Sequence, residues 1–398
     1  MQLKFSALLV CTSAFFLASA TEPTSATEST SELTTSNLIV FGDSLADNGN
    51  TGKLINSTVY WDGRFSNSYV WNEYTAKLLG MTLANNAYGD ATSNNDVTPA
   101  VLGGVTIPSF HDQVKNWLSA NPAPSPFNLD NDIIQIEIGS NDLLNNAEGL
   151  MNGTVDITTL ASRVAKSISA DIQSLIDAGY KNVNLWNIPA IENTPLAASM
   201  NASALIAPAI EAMNSAIAKL VQSVFDGSKE KVQSANIFDI HSLMTTCMQS
   251  QVLTAFGITD SKDACYTTSS SGKPNICSDP DEHYFYDDVH PASRMHYIWG
   301  VSAAILARNP STKMDTNEVL SIIKSFDIGS SNNKDNIIAN GISSSESEAI
   351  PSASSGTGAA SGDDTKSSES DHTSSTSSAT GLSCSILMSL ALTVLYFI

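Results

Sequence analysis

Residues 37–50 read "NLIVFGDSLADNGN". Leu38, Ile39, Val40 and Phe41 form a short apolar run of β-formers, and Gly42 breaks it into Asp43, Ser44 and a polar loop. A strand apolar at every position is buried on both faces, which puts Ser44 at the end of a central strand. Ser44 is there either as a turn residue or as a nucleophile held up by the sheet. This stretch alone leaves both readings open, so its partners must come from elsewhere in the chain.

Outward from it, strand-like and helix-like segments alternate. "SNSYVWNEYTAKLLG" (66–80) reads as a helix with Ser66 as N-cap and Gly80 as its stop. "MTLANNAYGD" (81–90) and "DIIQIEIGSND" (132–142) read as strands, with the helical "PSFHDQVKNWLS" (108–119) between them. Leu160, Val164, Ile168, Ile172 and Leu175 recur at helical spacing over 158–178. Strand "NVNLWNIP" (182–189), helix 204–225, strand "SANIFDI" (234–240) and the helical 290–308 complete the series. Such alternation implies five mainly parallel strands with helices on both faces. In that class the ligand site lies beyond the carboxyl ends of the strands. Three polar, glycine-containing strand ends fall there: Asp43-Ser44, Gly89-Asp90, and Gly139-Ser140-Asn141-Asp142.

A serine hydroxyl attacks only when a base takes its proton. In "HYFYDDVHPASRMHYIWG", Asp287 and His290 are three residues apart, a spacing that lets carboxylate meet imidazole on one turn. His290 would serve as general base and then as general acid. Asp287 would fix its tautomer, with Asp288 as a rival that the spacing disfavours. Three donors for a developing oxyanion are available on the same edge: the backbone N–H of Ser44, the backbone N–H of Gly89 and the Asn141 side-chain amide. Asp43, Asp47, Asn48 and Asp142 read as buttresses of the strand-end loops.

"FGDSLADNGN" resembles the first block of the GDSL (SGNH) hydrolase superfamily. "NNAYGDAT" resembles its glycine block, "IGSNDLL" its third and "YDDVHP" its last, all in the family's order. "GRFSNSYVWNEYTAKLLG", "IPSFHDQVKNWL" and "NIPAIENTP" further resemble the lipase-like branch found in plants, fungi and some bacteria. The resemblance spans Asn37 to Arg308. It implies a three-layer, flavodoxin-like α/β/α sandwich, a catalytic set of Ser44, Asp287 and His290, an oxyanion hole of Ser44, Gly89 and Asn141, and no cofactor. Departures are Tyr286 where Trp is frequent, Ala292 and Ser293 where Thr is usual, and Asp90 in place of a frequent second glycine.

The expected activity is therefore ester hydrolysis through an acyl-enzyme, leaning to short or medium acyl esters of lipids or acetylated carbohydrates. Acyl transfer to an alcohol would use the same residues. A non-catalytic surface binding module is the rival outside enzymology. Trp61, Phe65, Tyr69 and Trp71 are candidates for an acyl pocket or for core. His283, Asp287, Asp288, His290 and His296 lack the spacing of a metal site, and no metal is expected.

The remaining features concern location. "ALLVCTSAFFLA" followed by Ala18-Ser19-Ala20 reads as a signal peptide over 1–20. Residues 21–36 and 329–380 are Ser-rich and read as a disordered linker and stalk flanking a hydrolase domain at 37–328. The apolar 381–398 after a small-residue spacer reads as a glycosylphosphatidylinositol (GPI) signal, with Ser374 or Ser375 as attachment candidates. Expected is a secreted monomer tethered to the outer leaflet or cell wall. A net charge of −21 argues against nucleic acid as partner. Of five cysteines, Cys247, Cys265 and Cys277 lie in the domain, and the short Cys265–Cys277 loop is the favoured disulfide. Asn56, Asn152 and Asn201 head glycosylation sequons.

Overall fold

The computed structural model describes residues 36–55, 58–122, 129–329 and 336–352. The expected signal peptide, GPI tail, Ser374, Ser375, Asn56, almost all of the N-terminal linker and most of the stalk lie outside them.

Five parallel strands form the central sheet: β1 (Asn37–Gly42), β2 (Thr82–Asn85), β3 (Ile133–Glu137), β4 (Asn182–Trp186) and β5 (Ser234–Phe238). Their order is β2-β1-β3-β4-β5, every pairing parallel. The strands alternate their side chains between two cores. Ile39, Phe41, Ile134, Ile136, Val183 and Leu185 face one core, with helices α2 (Phe110–Ala120), α3 (Ile157–Asp177) and α4 (Ser203–Gly227). Leu38, Val40, Trp186 and Phe238 face the other, against α1 (Trp71–Leu79), α5 (Ser293–Arg308) and α6 (Thr316–Ser325). The result is the expected three-layer α/β/α sandwich. The α3 stripe Leu160, Val164, Ile168, Ile172, Leu175 is buried as its spacing predicts, each such side chain contributing roughly 1.5–3 kcal/mol.

Two boundaries differ from expectation. Helix α1 starts at Trp71 after Val70, because the Glu73 carboxylate takes the Val70 N–H at 3.0 Å. The Ser66 hydroxyl instead donates to the Pro291 carbonyl at 3.0 Å. Gly80, with φ +65°, ends the helix as expected. The folded domain also runs past residue 328. Ile337 is buried in the second core, Asn336 donates to the Tyr74 hydroxyl, and Ile338, Ile342 and Ile350 pack alongside. Residues 336–350 therefore dock where a disordered stalk was expected.

The order β2-β1-β3 fixes where a site can form. The chain leaves β1 for β2 on one side and returns to β3 on the other, so a crevice opens beyond the ends of β1 and β3.

Candidate active site

Gly42 ends β1 where no side chain fits: a Cβ there would lie 2.5 Å from the Glu137 carbonyl oxygen. Gln113 of α2 grips the same peptide from both sides, accepting from Gly42 N–H at 3.0 Å and donating to Gly42 C=O at 2.9 Å. The next residues turn sharply. The Asp43 carbonyl accepts from Ala46 and Asp47 N–H, and its carboxylate accepts from Leu45 N–H at 3.1 Å. Ser44 is thus presented at the crevice on a chain held by short-range bonds.

His290 reaches it from 246 residues away: Nε2 lies 2.7 Å from Ser44 Oγ. The other ring nitrogen, Nδ1, lies 2.8 and 3.0 Å from the two Asp287 oxygens, so it carries the proton and Nε2 accepts from the serine hydroxyl. The motif spacing explains the pose. Asp287 Oδ1 also accepts the N–H groups of Val289 and His290, and Tyr286 N–H bonds the His290 carbonyl, closing residues 286–290 into a tight loop. Tyr60, which no sequence pattern singled out, donates its hydroxyl to Asp287 Oδ2 at 2.7 Å. Tyr286, where the resemblance has Trp, uses its own hydroxyl to bind the Val59 carbonyl beside it. Asp288 is exposed and stands apart from this relay, although its carbonyl accepts from Leu196 N–H.

All three side chains are buried. Burial alone would raise the Asp287 pKa, but the neighbouring His290 and the bonds from His290 and Tyr60 hold it below the ordinary value. Burial alone would lower His290, yet the Asp287 charge raises it above the usual imidazole value. The pair is therefore tuned so that an imidazolium formed at Nε2 is stabilised.

The three oxyanion candidates fare differently. Ser44 N–H has no acceptor among the described residues. Asn141, on the short helix Ser140–Leu144 after β3, lines the crevice and donates one amide hydrogen to the Ala91 carbonyl at 3.0 Å, leaving a second. Gly89 must be corrected. Its N–H is already bonded to Asp47 Oδ2 at 2.9 Å and Thr51 Oγ1 at 2.6 Å, and it does not line the crevice. Its missing side chain serves packing, since a Cβ would fall 2.3 Å from the Phe65 ring. The residue in position is Asp90, at φ +65° in the left-handed region. It lines the crevice, and its N–H has no acceptor among the described residues. Where the resemblance has a second glycine, the backbone N–H that faces the crevice is thus that of Asp90.

Of the expected buttress residues, Asp43, Asp47 and Asp142 brace the strand-end loops, whereas no hydrogen bond is seen from the Asn48 side chain among the described residues. Asp47 collects the N–H groups of Gly49, Asn50 and Thr51 with that of Gly89. Asp142 takes both the N–H and the hydroxyl of Ser93 at 2.7 Å, and burial pushes its carboxyl to about 6. Asp43 and Glu137 meet carboxyl to carboxyl beneath Ser44. Burial, then the charge of Asp43, drives Glu137 well above its usual range, and burial also lifts Asp43 to about 6.

The crevice is a cavity of about 470 Å³ running from Ser44 and His290 along mainly apolar walls. Trp61, Phe65, Tyr69 and Trp71 contribute nothing to those walls. Trp71 is core against Trp186, Phe65 backs the His290 ring at 5.1 Å, and Trp61 and Tyr69 cover the Arg64 guanidinium. Cys265 and Cys277 are joined by a disulfide, and the hairpin between them brings Tyr266, Thr267 and Thr268 to the cavity. The two cysteines with His283 form the one tight cluster of potential metal ligands among the described residues, and the disulfide occupies both sulfurs. Cys247 is buried, with its thiol pushed up by burial. His296 is buried and pushed down to about 3 by burial, so it is neutral packing beside Trp299. Asn152 and Asn201 are exposed.

The sequence pattern of the GDSL-like lipase/acylhydrolase family matches residues 38–300. The chain belongs to this family. Among similar proteins, the thermolabile hemolysin of Vibrio parahaemolyticus is 25% identical over 280 residues, covering 65% of this chain and 60% of that protein. A phosphatidylcholine-sterol acyltransferase of Aeromonas hydrophila is 29% identical, covering 60% of this chain and 68% of that protein. An acetylesterase of Thermothelomyces thermophilus is 27% identical, covering 54% of this chain and 65% of that protein. This GDSL-family chain thus spans less than two thirds of the length of the hemolysin and of the acetylesterase. Ser44, Asn141, Asp287 and His290 all lie within the residues that match the family.

Proposed function

We propose that this GDSL-family protein hydrolyses carboxylic esters with Ser44 as nucleophile and His290 and Asp287 as its activating pair. The observation that carries the reading is the unbroken relay from Ser44 Oγ through His290 to the Asp287 carboxylate, 2.7 and 2.8 Å at its two joints. Ser44 Oγ bonds to the ester carbonyl carbon as its proton passes to His290 Nε2. The carbonyl oxygen becomes an oxyanion that Ser44 N–H, Asp90 N–H and Asn141 Nδ2 can meet, each such donor being worth about 3–4 kcal/mol in comparable sites. His290 then returns the proton to the departing alkoxide, and the C–O bond to it breaks. Water attacks the acyl-enzyme with His290 again taking a proton, which releases the acid and restores Ser44.

A fluorophosphonate probe should label the protein at Ser44, and Ser44→Ala should abolish both labelling and ester turnover. Ester hydrolysis that survives in Ser44→Ala would refute the mechanism. A second reading, acyl transfer to an alcohol, draws support from the likeness to the acyltransferase of Aeromonas hydrophila. It differs only in what attacks the acyl-enzyme, and the partition of acyl groups between water and an added alcohol distinguishes the two. The same proposal places the enzyme outside the cell, tethered by a GPI anchor. The disulfide and the exposed sequon residues Asn152 and Asn201 support the extracellular part of that setting, and the tether rests on the sequence of residues 381–398 alone.

A further inference from the structure

The walls of the cavity are unlike those a small acetyl group needs. Next to Ser44 and His290 the lining is polar. Beyond them it is built by apolar residues of short helices: Leu143 and Leu144 after β3, Leu150 and Met151 from Ala147–Asn152, and Leu196 from Pro195–Ser199. The first turns of α4 add Leu205, Ile206 and Ala209. Apolar side chains continue out to the surface, where Met151 and Leu205 are 41% and 64% exposed on two separate helices. Large exposed apolar side chains meeting at the rim of an apolar cleft are a feature of ligand grooves.

Volume sets the size of the ligand. A chain carbon takes roughly the 30 Å³ share of a liquid water, so a space of about 470 Å³ holds on the order of ten to fifteen carbons. An acetyl group would leave nearly all of it to water in contact with leucine, isoleucine and methionine.

We propose that this arm is an acyl-chain subsite that selects medium-to-long-chain esters over acetyl esters. The inference rests on the hydrolase reading and deepens it. It differs from the expectation of short or medium acyl esters, since no motif in the sequence measures the depth of the cavity. Each methylene taken from water into the arm should raise kcat/KM about two- to fourfold until the arm is full.

The test is a p-nitrophenyl ester series from acetate to palmitate, with fluorophosphonate labelling of Ser44 run in parallel. Expected is a rise of at least about sixtyfold in kcat/KM from acetate to octanoate, from about twofold for each of six added methylenes. Ala209→Trp should fill the arm and lower the octanoate-to-acetate ratio about tenfold or more, with its thermal unfolding midpoint confirming the fold. Ala197→Phe, at another lining residue, provides a second obstruction should the first variant fail to fold. Phosphatidylcholine vesicles and a soluble sugar monoester of the same acyl length show which alcohol carries the chain, and acid released from either supports the subsite. Labelled Ser44 with a profile that peaks at acetate would overturn the subsite and leave the hydrolase reading standing. Unlabelled Ser44 with no ester turned over would overturn both.

Discussion

Replacing Asp287 by Asn tests the relay at its most constrained point. In the native protein Oδ1 accepts three N–H groups, from Val289, His290 and the His290 ring, while Oδ2 accepts the Tyr60 hydroxyl and shares the ring N–H. An asparagine oxygen must stay on the two backbone N–H groups, so its NH2 turns toward Tyr60 and the imidazole. His290 Nδ1 then faces a donor and has to accept, which moves the ring proton to Nε2. Nε2 would donate to Ser44 instead of taking its proton. In comparable sites this wrong tautomer lowers kcat about 10⁴-fold, or roughly 5.5 kcal/mol at 1.36 per decade. A second signature accompanies it. The Asp287 charge is what overcomes burial and raises His290 above its usual value. Since His290 acts as base only when neutral, the acid limb of kcat/KM lies above about pH 6.5 in the native enzyme. In Asp287→Asn burial acts with only Asp43 opposing it, and the limb moves to lower pH. Hydrolysis of p-nitrophenyl butyrate between about pH 5 and pH 9 measures both effects. Asp288→Asn, which lies outside the relay, should change kcat/KM less than about threefold. A loss under about tenfold in Asp287→Asn, with the acid limb unmoved, would refute the assignment.

Three further outcomes follow from the same geometry. Asp43 and Asp142 are raised to about 6, Asp90 to about 7, and Glu137 well above its usual value, in each case chiefly by burial. The folded state therefore holds protons on these four carboxyls that the unfolded chain releases. Buried neutral His296, lowered to about 3, opposes them below about pH 6.5. One imidazole against four carboxyls leaves stability falling as pH rises from about 4 to about 7, and the melting temperature should be higher at about pH 5 than at about pH 8. Removing the Cys265–Cys277 disulfide by a double Ser substitution opens a loop of sequence separation 12 and should cost about 3 kcal/mol in urea unfolding. Gly89→Ala drives a methyl into the Phe65 ring that backs His290, so it should cost about 1–3 kcal/mol and lower kcat, whereas an unchanged unfolding midpoint would show that Gly89 is not packed as described.

The sequence is most legible where the constraint is local. An apolar strand, a break and a serine specify β1 and its end, and the three-residue interval from Asp287 to His290 specifies a loop whose own carboxylate caps it. Both can be read without knowing what lies opposite. The Gly89 assignment failed because choosing between two adjacent N–H groups depends on Asp47 and Thr51, about forty residues earlier, which occupy one and leave the other. Ser66 misled for a similar reason: its hydroxyl is taken by Pro291, far along the chain, and Glu73 does the capping. Tyr60 and the apolar walls of the cavity carry no pattern at all. They are ordinary residues on a turn, on short helices and on the first turns of α4, and only the fold brings them to Ser44.

The acids beneath Ser44 show why such a site tolerates its own negative charge. Two ionised carboxylates at Asp43 and Glu137 would favour the imidazolium at His290 but oppose an oxyanion forming on the other side of Ser44. Burial raises both carboxyls, which weakens that opposition, while Asp43 still contributes to raising His290. Asp90 obeys the same logic at closer range. Its N–H is offered to the oxyanion while its side chain sits in the same crevice, and burial with the Asp43 charge nearby lifts that side chain to about 7, so much of it remains neutral near neutrality. A glycine would supply the N–H without the φ +65° strain on a side chain. Aspartate adds a carboxyl that burial and the Asp43 charge raise to about 7, so in the proposed mechanism its ionisation would change the charge facing the reacting carbonyl.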